Sequence, residues 1–183
     1  HEMGVQPILA YCVDHYARLY ALVHHGARKA DESLNQMGYI LHCFNCLNRN
    51  IHVGIIPYMN RKCEECGSTM EAAGPLWLGK TSNKNFCNSM MKEASLEEFR
   101  NRNRIFKMLS LIRDECEGPI TYYSLDRISD KYGLPTPSLR AVMSKLREEG
   151  YTVLPTHFNS RGFRTDATIH IVKETILSLT RKS

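Results

Sequence analysis

Short apolar runs separated by polar turns dominate the first third of the chain. Residues 7–11 and 16–23 are rich in aromatic and aliphatic side chains, which predicts two strands, with Asp14 in the turn between them. Residues 39–42 and 51–58 repeat this pattern and predict a third and a fourth strand. This part of the chain is therefore predicted to be mainly β-structure.

Two other segments place their apolar residues at helical spacing. A helix is predicted over 26–37, because its apolar residues fall on one stripe, and Gly38 follows at the position where a left-handed residue would end it. The stripe consists of Ala27, Ala30, Leu34 and Met37. A further helix is predicted over about 96–117, because its apolar residues recur at helical spacing and Ser95 and Glu98 match a capping box.

The last third combines helices and strands in a recognisable order. Thr136 is predicted to cap the second of two helices, and Gly150 to end it. In chain order, the predicted elements are helix 122–133, helix 136–150, strand 151–158, strand 163–171 and helix 171–181. Two helices joined by a short turn are typical of a helix-turn-helix, and the two strands would add a β wing. The prediction is a winged helix, a fold that also serves purely for protein packing.

The cysteines add a candidate metal site. Cys43 and Cys46 form one C-x-x-C pair, Cys63 and Cys66 form a second, and sixteen residues separate the pairs. Two such pairs supply the four soft ligands of a tetrahedral zinc ion at a spacing typical of zinc ribbons. Gly67 suits the second turn, because a residue there often needs a positive φ. The site is predicted to be structural, since four cysteines leave no position open; cysteines without metal, or two disulfides, are the alternatives.

The histidines near the cysteine pairs and the three remaining cysteines are not predicted to bind the metal. His42 and His52 lie near the pairs, but four cysteines already complete the site. Cys12, Cys87 and Cys116 remain and are predicted to be small buried apolar groups. Cysteines at metal-binding spacing favour a reducing, intracellular compartment over a disulfide framework, either the cytoplasm or, in a eukaryote, the nucleus or mitochondrion.

Composition and charge indicate the class of partner. The 183 residues are 43% hydrophobic and 23% charged, which is ordinary for one or two globular domains, and no apolar run approaches the length of a membrane span. Residues 1–99 contain 9 Lys and Arg against 10 Asp and Glu, whereas residues 100–183 contain 15 against 9. The basic excess predicts a polyanionic partner, most often nucleic acid, with a merely solvated basic surface as the alternative.

Basic side chains on the predicted recognition elements are the candidate nucleic-acid contacts. They lie on the second helix of the helix-turn-helix, on the wing and on helix 96–117. The candidates are Arg140, Lys145, Arg147, His157, Arg161, Arg164, Arg104 and Lys107.

These elements together predict an α+β fold. It would consist of a small mixed sheet with a zinc-ribbon insertion, followed by a winged-helix (helix-turn-helix plus β wing) subdomain. The predicted domains are 1–94, an α/β sheet with four-cysteine zinc knuckles, and 95–183, a helical linker with a winged-helix-like subdomain.

Several short segments resemble the tRNA (guanine-N2)-dimethyltransferase family. They are 74–79 (G-P-L-W-L-G), 156–158 (T-H-F), 165–167 (T-D-A), 7–11, 15–20, 26–27 and 38–39. The resemblance extends from about residue 4 to residue 177. It implies a role in tRNA processing, tRNA as partner, and an enzyme that methylates guanosine 26 with S-adenosylmethionine.

The resemblance implies only the C-terminal domain of that family. The sequence has no glycine-rich loop after a strand and no D-P-F-G-type motif, so no residue is predicted to be catalytic or to bind a cofactor. S-adenosylmethionine is expected only in a missing upstream methyltransferase domain, and the start at His1 without an initiator methionine indicates a fragment. The chain is expected to bind and orient tRNA and to be inactive alone. A zinc-containing winged-helix DNA-binding regulator is the alternative.

Overall fold

Eight strands and six helices follow one another in the part of the chain that this computed structural model describes, residues 2–96 and 100–180. The strands are β1 (Met3–Val13), β2 (Tyr16–His25), β3 (Met37–His42), β4 (Arg49–Val53), β5 (Glu71–Trp77), β6 (Tyr123–Ser124), β7 (Val153–Pro155) and β8 (Gly162–Thr165). The helices are α1 (Ala27–Leu34), α2 (Lys84–Leu96), α3 (Arg102–Glu115), α4 (Leu125–Tyr132), α5 (Leu139–Glu148) and α6 (Ile169–Thr180).

The strands form three separate antiparallel sheets. The first is the hairpin of β1 and β2, in which Met3 lies opposite His25 and Val13 lies opposite Tyr16. Its turn contains Asp14, whose φ of 52° confirms the predicted turn. In the second sheet β3 lies between β4 and β5, and in the third β8 lies between β6 and β7.

The hairpin packs against two helices. Leu9 of β1 is completely buried in one apolar cluster with Cys87 of α2 and with Leu109 and Ile112 of α3. Leu109 and Ile112 are three residues apart, so both lie on the same face of their helix. Helices of 13 and 14 residues are marginal in isolation, so this burial supplies most of their stability.

The largest apolar cluster lies in the last third of the chain. Its fully buried side chains include Ile128 of α4, Leu146 of α5, Phe163 of β8 and Val172 of α6. Each helix contributes one buried stripe, which accounts for the helical spacing seen in the sequence. Of the helices within residues 2–96 and 100–180, none combines the length and the apolar character that crossing a bilayer requires.

The start of α5 differs from the prediction. The predicted helix 136–150 begins at Leu139, because Ser138 rather than Thr136 provides the cap. The Ser138 hydroxyl accepts a hydrogen bond from the Ala141 backbone N–H at 3.2 Å. A serine oxygen in that position satisfies one of the unpaired N–H groups of the first helical turn.

Other boundaries are shorter than predicted. The helix expected at 96–117 is α3 preceded by the end of α2, and residues 97–99, with part of the predicted capping box, lie outside the described residues. The strand expected at 163–171 ends at Thr165, because α6 begins at Ile169. Residue 181, at the end of the predicted last helix, is also outside the described residues.

The predicted fold class is wrong. Instead of one small mixed sheet with an insertion, the described residues form three sheets in which every strand pair is antiparallel. The cause is packing: β1 and β2 cover α2 and α3 and do not extend the sheet of β3. The cysteine pairs are not an insertion into a larger sheet. They lie in the connections between β3, β4 and β5, which form a separate three-stranded sheet. The two-domain division stays a prediction.

Leu146→Ala is expected to lower the free energy of unfolding by about 2–5 kcal/mol, because it leaves a cavity in the largest cluster. Leu96→Ala is the matched control, since Leu96 is 71% exposed and should change stability by less than about 0.5 kcal/mol. Urea unfolding followed by circular dichroism measures both. Equal destabilisation by the two substitutions would contradict this core.

Candidate functional site

Two tight turns of the same construction bring the four cysteines together. In the first, the Leu47 N–H donates to the Cys43 carbonyl at 2.7 Å, and in the second, the Gly67 N–H donates to the Cys63 carbonyl at 2.8 Å. Leu47 and Gly67 both have left-handed backbone conformations, with φ of 64° and 71°. The positive φ predicted for Gly67 is confirmed. A leucine is disfavoured in this conformation, so the surrounding contacts must stabilise the first turn.

The four Sγ atoms form a compact cluster. All of them lie within 4.8 Å of one another. The Sγ atoms of Cys43 and Cys66 are 3.5 Å apart, as are those of Cys46 and Cys63. A disulfide would need about 2.0 Å, whereas four ligands at about 2.3 Å from a central ion suit a tetrahedral zinc site. The donor set therefore fits a metal ion such as zinc and leaves no ligand position open.

The environments of these thiols differ. Burial raises the pKa of Cys46 above its ordinary value. Hydrogen bonds with Ser68 lower the pKa of the exposed Cys66 thiol to about 6. Of the cysteines outside the cluster, Cys87 is buried as predicted, whereas Cys12 is exposed near the hairpin turn.

The first cysteine turn also contacts the last third of the chain. Tyr132 of α4 donates its hydroxyl hydrogen to the Cys46 carbonyl at 2.8 Å. Leu47 packs against the largest apolar cluster. Two residues further on, the Arg49 guanidinium donates to the Tyr122 carbonyl. The position of this turn is thus tied to the elements that follow Tyr122.

A buried ionic cluster lies between α3 and the last sheet. Arg164 Nε donates to Glu115 Oε2 at 2.9 Å, and His157 Nδ1 is hydrogen-bonded to Glu115 Oε1. Arg164 also donates to the carbonyls of Pro119 and Ile120 at 2.6 and 2.8 Å. The Glu115 and His157 side chains are each only 4% exposed. The cluster joins the end of α3 to β8 and to the segment before β8.

The charge of Glu115 depends on these neighbours. Burial alone would raise the pKa of its carboxyl group, but hydrogen bonds from His157 and Thr156 and the charges of His157 and Arg164 outweigh burial and lower the pKa below its ordinary value. Glu115 is therefore ionised at neutral pH and accepts hydrogen bonds from His157 and Arg164.

Six of the eight predicted nucleic-acid residues have partners inside the protein, and four of these six bond in or near the last sheet. His157 and Arg164 belong to the buried ionic cluster. Arg161 Nε donates to Asp126 at 3.0 Å, and Arg147 Nη2 donates to a backbone carbonyl of β7 at 2.7 Å. Their roles in nucleic-acid binding stay predictions.

The other four predicted contacts lie on the surfaces of α3 and α5. Arg104 pairs with Asp14 at 2.6 Å, and Lys145 lies 3.7 Å from Glu149, the residue that follows α5. Arg140 and Lys107 are exposed and form no ion pair within 4.0 Å with any residue in the described ranges. These two are the least engaged of the predicted cations.

Comparison with known proteins decides the family. The family model described as N2,N2-dimethylguanosine tRNA methyltransferase matches residues 1–177. The chain belongs to this family. The resemblance found in the sequence is thereby confirmed over nearly the whole chain.

Individual members of the dimethylguanosine methyltransferase family agree with this match. The chain is 37% identical over 179 residues to the tRNA (guanine(26)-N(2))-dimethyltransferase of Methanothermobacter thermautotrophicus, covering 98% of this chain and 47% of that protein. It is 33% identical over 172 residues to the Methanosphaera stadtmanae enzyme, covering 94% and 44%. A solved complex of Trm1 from Pyrococcus horikoshii with S-adenosyl-L-methionine matches with a TM-score of 0.83 and 30% identity, covering 96% of this chain and 44% of that one. The chain thus spans about half the length of its relatives.

These comparisons overturn part of the predicted function. The matching model is that of the methyltransferase family itself, and the Trm1 structure matched by 96% of this chain is an S-adenosyl-L-methionine complex. The assignment as a C-terminal tRNA-binding domain that lacks the catalytic domain and is inactive alone is therefore corrected. So is the restriction of S-adenosylmethionine to a missing domain. Family membership also excludes the DNA-binding regulator, and one continuous match to Trm1 replaces the predicted fold class.

None of the described residues is assigned to the methyl donor. Doubly wound folds bind such cofactors in a crevice at the carboxyl ends of parallel strands. Every strand pair among the described residues is antiparallel, so the parallel pairing typical of such folds does not occur among them.

Sequence reasoning missed two residues of these sites. Glu115 follows the buried Ile112 by three residues, and an acidic residue on an apolar helix stripe could have signalled a buried partner. Arg49 carries no such signal, because its partner Tyr122 lies 73 residues away in the chain.

Glu115→Gln is expected to lower the free energy of unfolding by about 3–5 kcal/mol at neutral pH, because it leaves the charge of Arg164 buried without its partner. The pKa of Glu115 is lowered on folding, so its contribution is complete above the ordinary glutamate pKa. It is lost as the pH falls through the lowered pKa of the folded protein. Urea unfolding at neutral pH and at a series of acidic pH values measures both effects.

Glu117→Gln is the control for this substitution. Glu117 is two residues away, pairs with Lys80 at 2.6 Å and is 48% exposed, so water screens the pair and its loss should change stability little. If Glu115→Gln were as mild as Glu117→Gln, the buried cluster would not have the energetic role assigned to it.

Proposed function

We propose that the protein containing this chain methylates N2 of guanosine 26 in tRNA, with S-adenosylmethionine as the methyl donor. The match of residues 1–177 to the dimethylguanosine methyltransferase family carries the proposal. The relatives named tRNA (guanine(26)-N(2))-dimethyltransferase and the cofactor in the Trm1 complex support it. The reaction is assigned to the whole protein, because the chain spans about half the length of these relatives.

tRNA is the proposed partner of the basic second half. Residues 100–183 contain 15 Lys and Arg against 9 Asp and Glu, which favours binding to a polyanion. Arg140 on α5 and Lys107 on α3 are exposed and supply the proposed phosphate contacts. Arg104 is 62% exposed, so its surface pair with Asp14 can exchange for a phosphate at little cost.

Zinc is the proposed ion of the cysteine cluster. Four thiolates in a closed tetrahedral arrangement are typical of structural zinc, and the ion would link the two cysteine turns. Zinc there would supply folding free energy and take no part in methyl transfer. Zinc thiolates also favour a reducing compartment, so the proposed location is inside the cell, where tRNA is found.

A methylation assay tests the proposed reaction. Purified protein containing this chain, incubated with S-adenosylmethionine and a tRNA transcript, is expected to produce methylguanosine at position 26. Mass spectrometry of the digested tRNA locates the product and counts one or two methyl groups. A transcript with adenosine at that position is the control, because adenine has no amino group at C2. Methylation of both transcripts, or of neither, would rule out the proposed activity.

Cys63→Ser is expected to abolish zinc binding and lower stability by several kcal/mol, a fraction of the roughly 10–16 kcal/mol that zinc supplies in zinc-finger peptides. Metal analysis of the purified protein and thermal unfolding with and without chelator measure the two effects. Cys12→Ser is the matched control, since Cys12 is exposed and outside the cluster, and it should retain one zinc ion per chain. Wild-type protein without stoichiometric zinc would refute the assignment.

A further inference from the structure

A cavity of about 590 Å³ lies between the cysteine-bearing sheet and the last third of the chain. β3, β4 and the first cysteine turn form one side, and the segment around β6 and α4 forms the other. Its volume falls within the range of about 300–1,000 Å³ that is usual for small-ligand sites. None of the described residues that line it is acidic.

Phe44 places an exposed aromatic ring at this cavity. Phe44 directly follows Cys43 in the sequence, is 64% exposed, and meets the His42 ring edge-on at 4.6 Å between centroids. The cysteine turn itself does not require this ring. At the same position of the second turn, directly after Cys63, the residue is Glu64, and that turn closes with the same backbone hydrogen bonds. Folding of the turn therefore gives no reason for an exposed phenylalanine.

A second aromatic surface lines the same cavity. The rings of Tyr122 and Phe158 are stacked, with centroids 5.9 Å apart and planes 9° from parallel. Phe158 is 46% exposed. Aromatic side chains thus line both sides of the space.

Two arginines supply positive charge. The Arg49 guanidinium lies 4.4 Å from the centroid of the Tyr123 ring and donates to the Tyr122 carbonyl, so it is fixed in place. Arg127 of α4 is exposed and, within residues 2–96 and 100–180, has no ion-pair partner within 4.0 Å. With no carboxylate among the described lining residues, these charges are not neutralised locally.

This combination matches the recognition of unpaired nucleotides. Proteins bind single-stranded nucleic acid by stacking bases on aromatic rings and by placing cations along the backbone. A purely apolar peptide would leave the two arginines without counter-charges. We propose that the cavity binds one unpaired nucleotide of the tRNA substrate, with its base stacked on Phe44 and its phosphate at Arg127. The inference rests on the proposed function, which supplies the RNA, and it adds residues that the sequence did not indicate.

The test measures binding of a fluorescent tRNA transcript by anisotropy at two salt concentrations. Phe44→Ala is expected to weaken binding about fivefold or more, since each stacked base contributes on the order of 1–3 kcal/mol. Phe44→Tyr, which keeps a stacking ring, should bind as the wild type does. Arg127→Ala should weaken binding and reduce the salt dependence by about one phosphate contact. Arg28→Ala is the control, because Arg28 is an exposed arginine on α1 that does not line the cavity.

A second measurement does not depend on affinity. Ultraviolet cross-linking of tRNA that contains 4-thiouridine, followed by peptide mass spectrometry, is expected to label the peptide that contains Phe44. Thermal unfolding of each variant checks that the fold is intact, and little change is expected at Phe44 because its ring is mostly exposed.

The outcomes separate this inference from the proposed function. If Phe44→Ala and Arg127→Ala bind tRNA like the wild type while Arg140→Glu weakens binding, the cavity assignment is overturned and the proposed tRNA partner stands. Loss of binding in both Phe44→Ala and Phe44→Tyr indicates a packing role and also overturns the inference. If Phe44→Ala instead abolishes self-association in sedimentation, the cavity belongs to a second copy of the chain. No binding of tRNA by the wild type at low salt overturns both proposals.

Discussion

The convergence of four cysteine sulfurs on one point is the constraint on which this arrangement depends, and a shared cation would hold their thiolates together by charge attraction. Two of the thiols come from the turn after β3 and two from the turn before β5, and all four sulfur atoms lie within 4.8 Å of one another. Without an ion, their ionised forms would repel at this distance, and three of the cysteines are buried. With an ion, the ends of a three-stranded sheet are fixed together. The first turn then presents Leu47 and the Cys46 carbonyl to α4 and to the apolar cluster beyond it.

The buried ionic cluster fixes a second junction by different means. An isolated buried pair adds little net stability compared with apolar residues, but breaking it leaves an unpaired charge in a poorly hydrated site. Glu115 accepts from the His157 and Arg164 side chains, and Arg164 also donates to two backbone carbonyls, so each of the two charged groups has several partners. These hydrogen bonds can all form only when α3 and β8 are in one relative position. Surface pairs such as Arg104 with Asp14 impose no such restriction, because water replaces either partner easily.

Sequence reasoning succeeded where the determining information is local. The cysteine spacing encodes the cluster directly, and the apolar stripes located the helices that contain Leu109 and Leu146. It failed where contacts between segments that are distant in sequence determine the structure. A two-residue turn predicts the β1–β2 hairpin, but nothing near it in sequence shows that this hairpin covers α2 and α3 and forms a sheet of its own. Likewise, Glu115 lies 42 residues before His157, so the wing pattern alone suggested a solvent-facing histidine that the structure buries.

The distribution of charge gives two different roles to the basic residues of the second half. Several of these cations are paired within the protein, so the formal excess of that half overstates the number that can meet phosphate directly. The net field still acts at long range and raises the rate of encounter with a polyanion. Contact at short range needs accessible groups, and it costs less conformational freedom where those groups are also fixed. Phe44 is exposed, and Cys43 and Cys46 hold the backbone on either side of it, whereas Arg49 is partly buried and fixed by its stacking on Tyr123. A metal ion in the cysteine cluster would in this way also pre-organise a binding surface, since a residue on a fixed backbone loses less freedom when a base stacks on its ring.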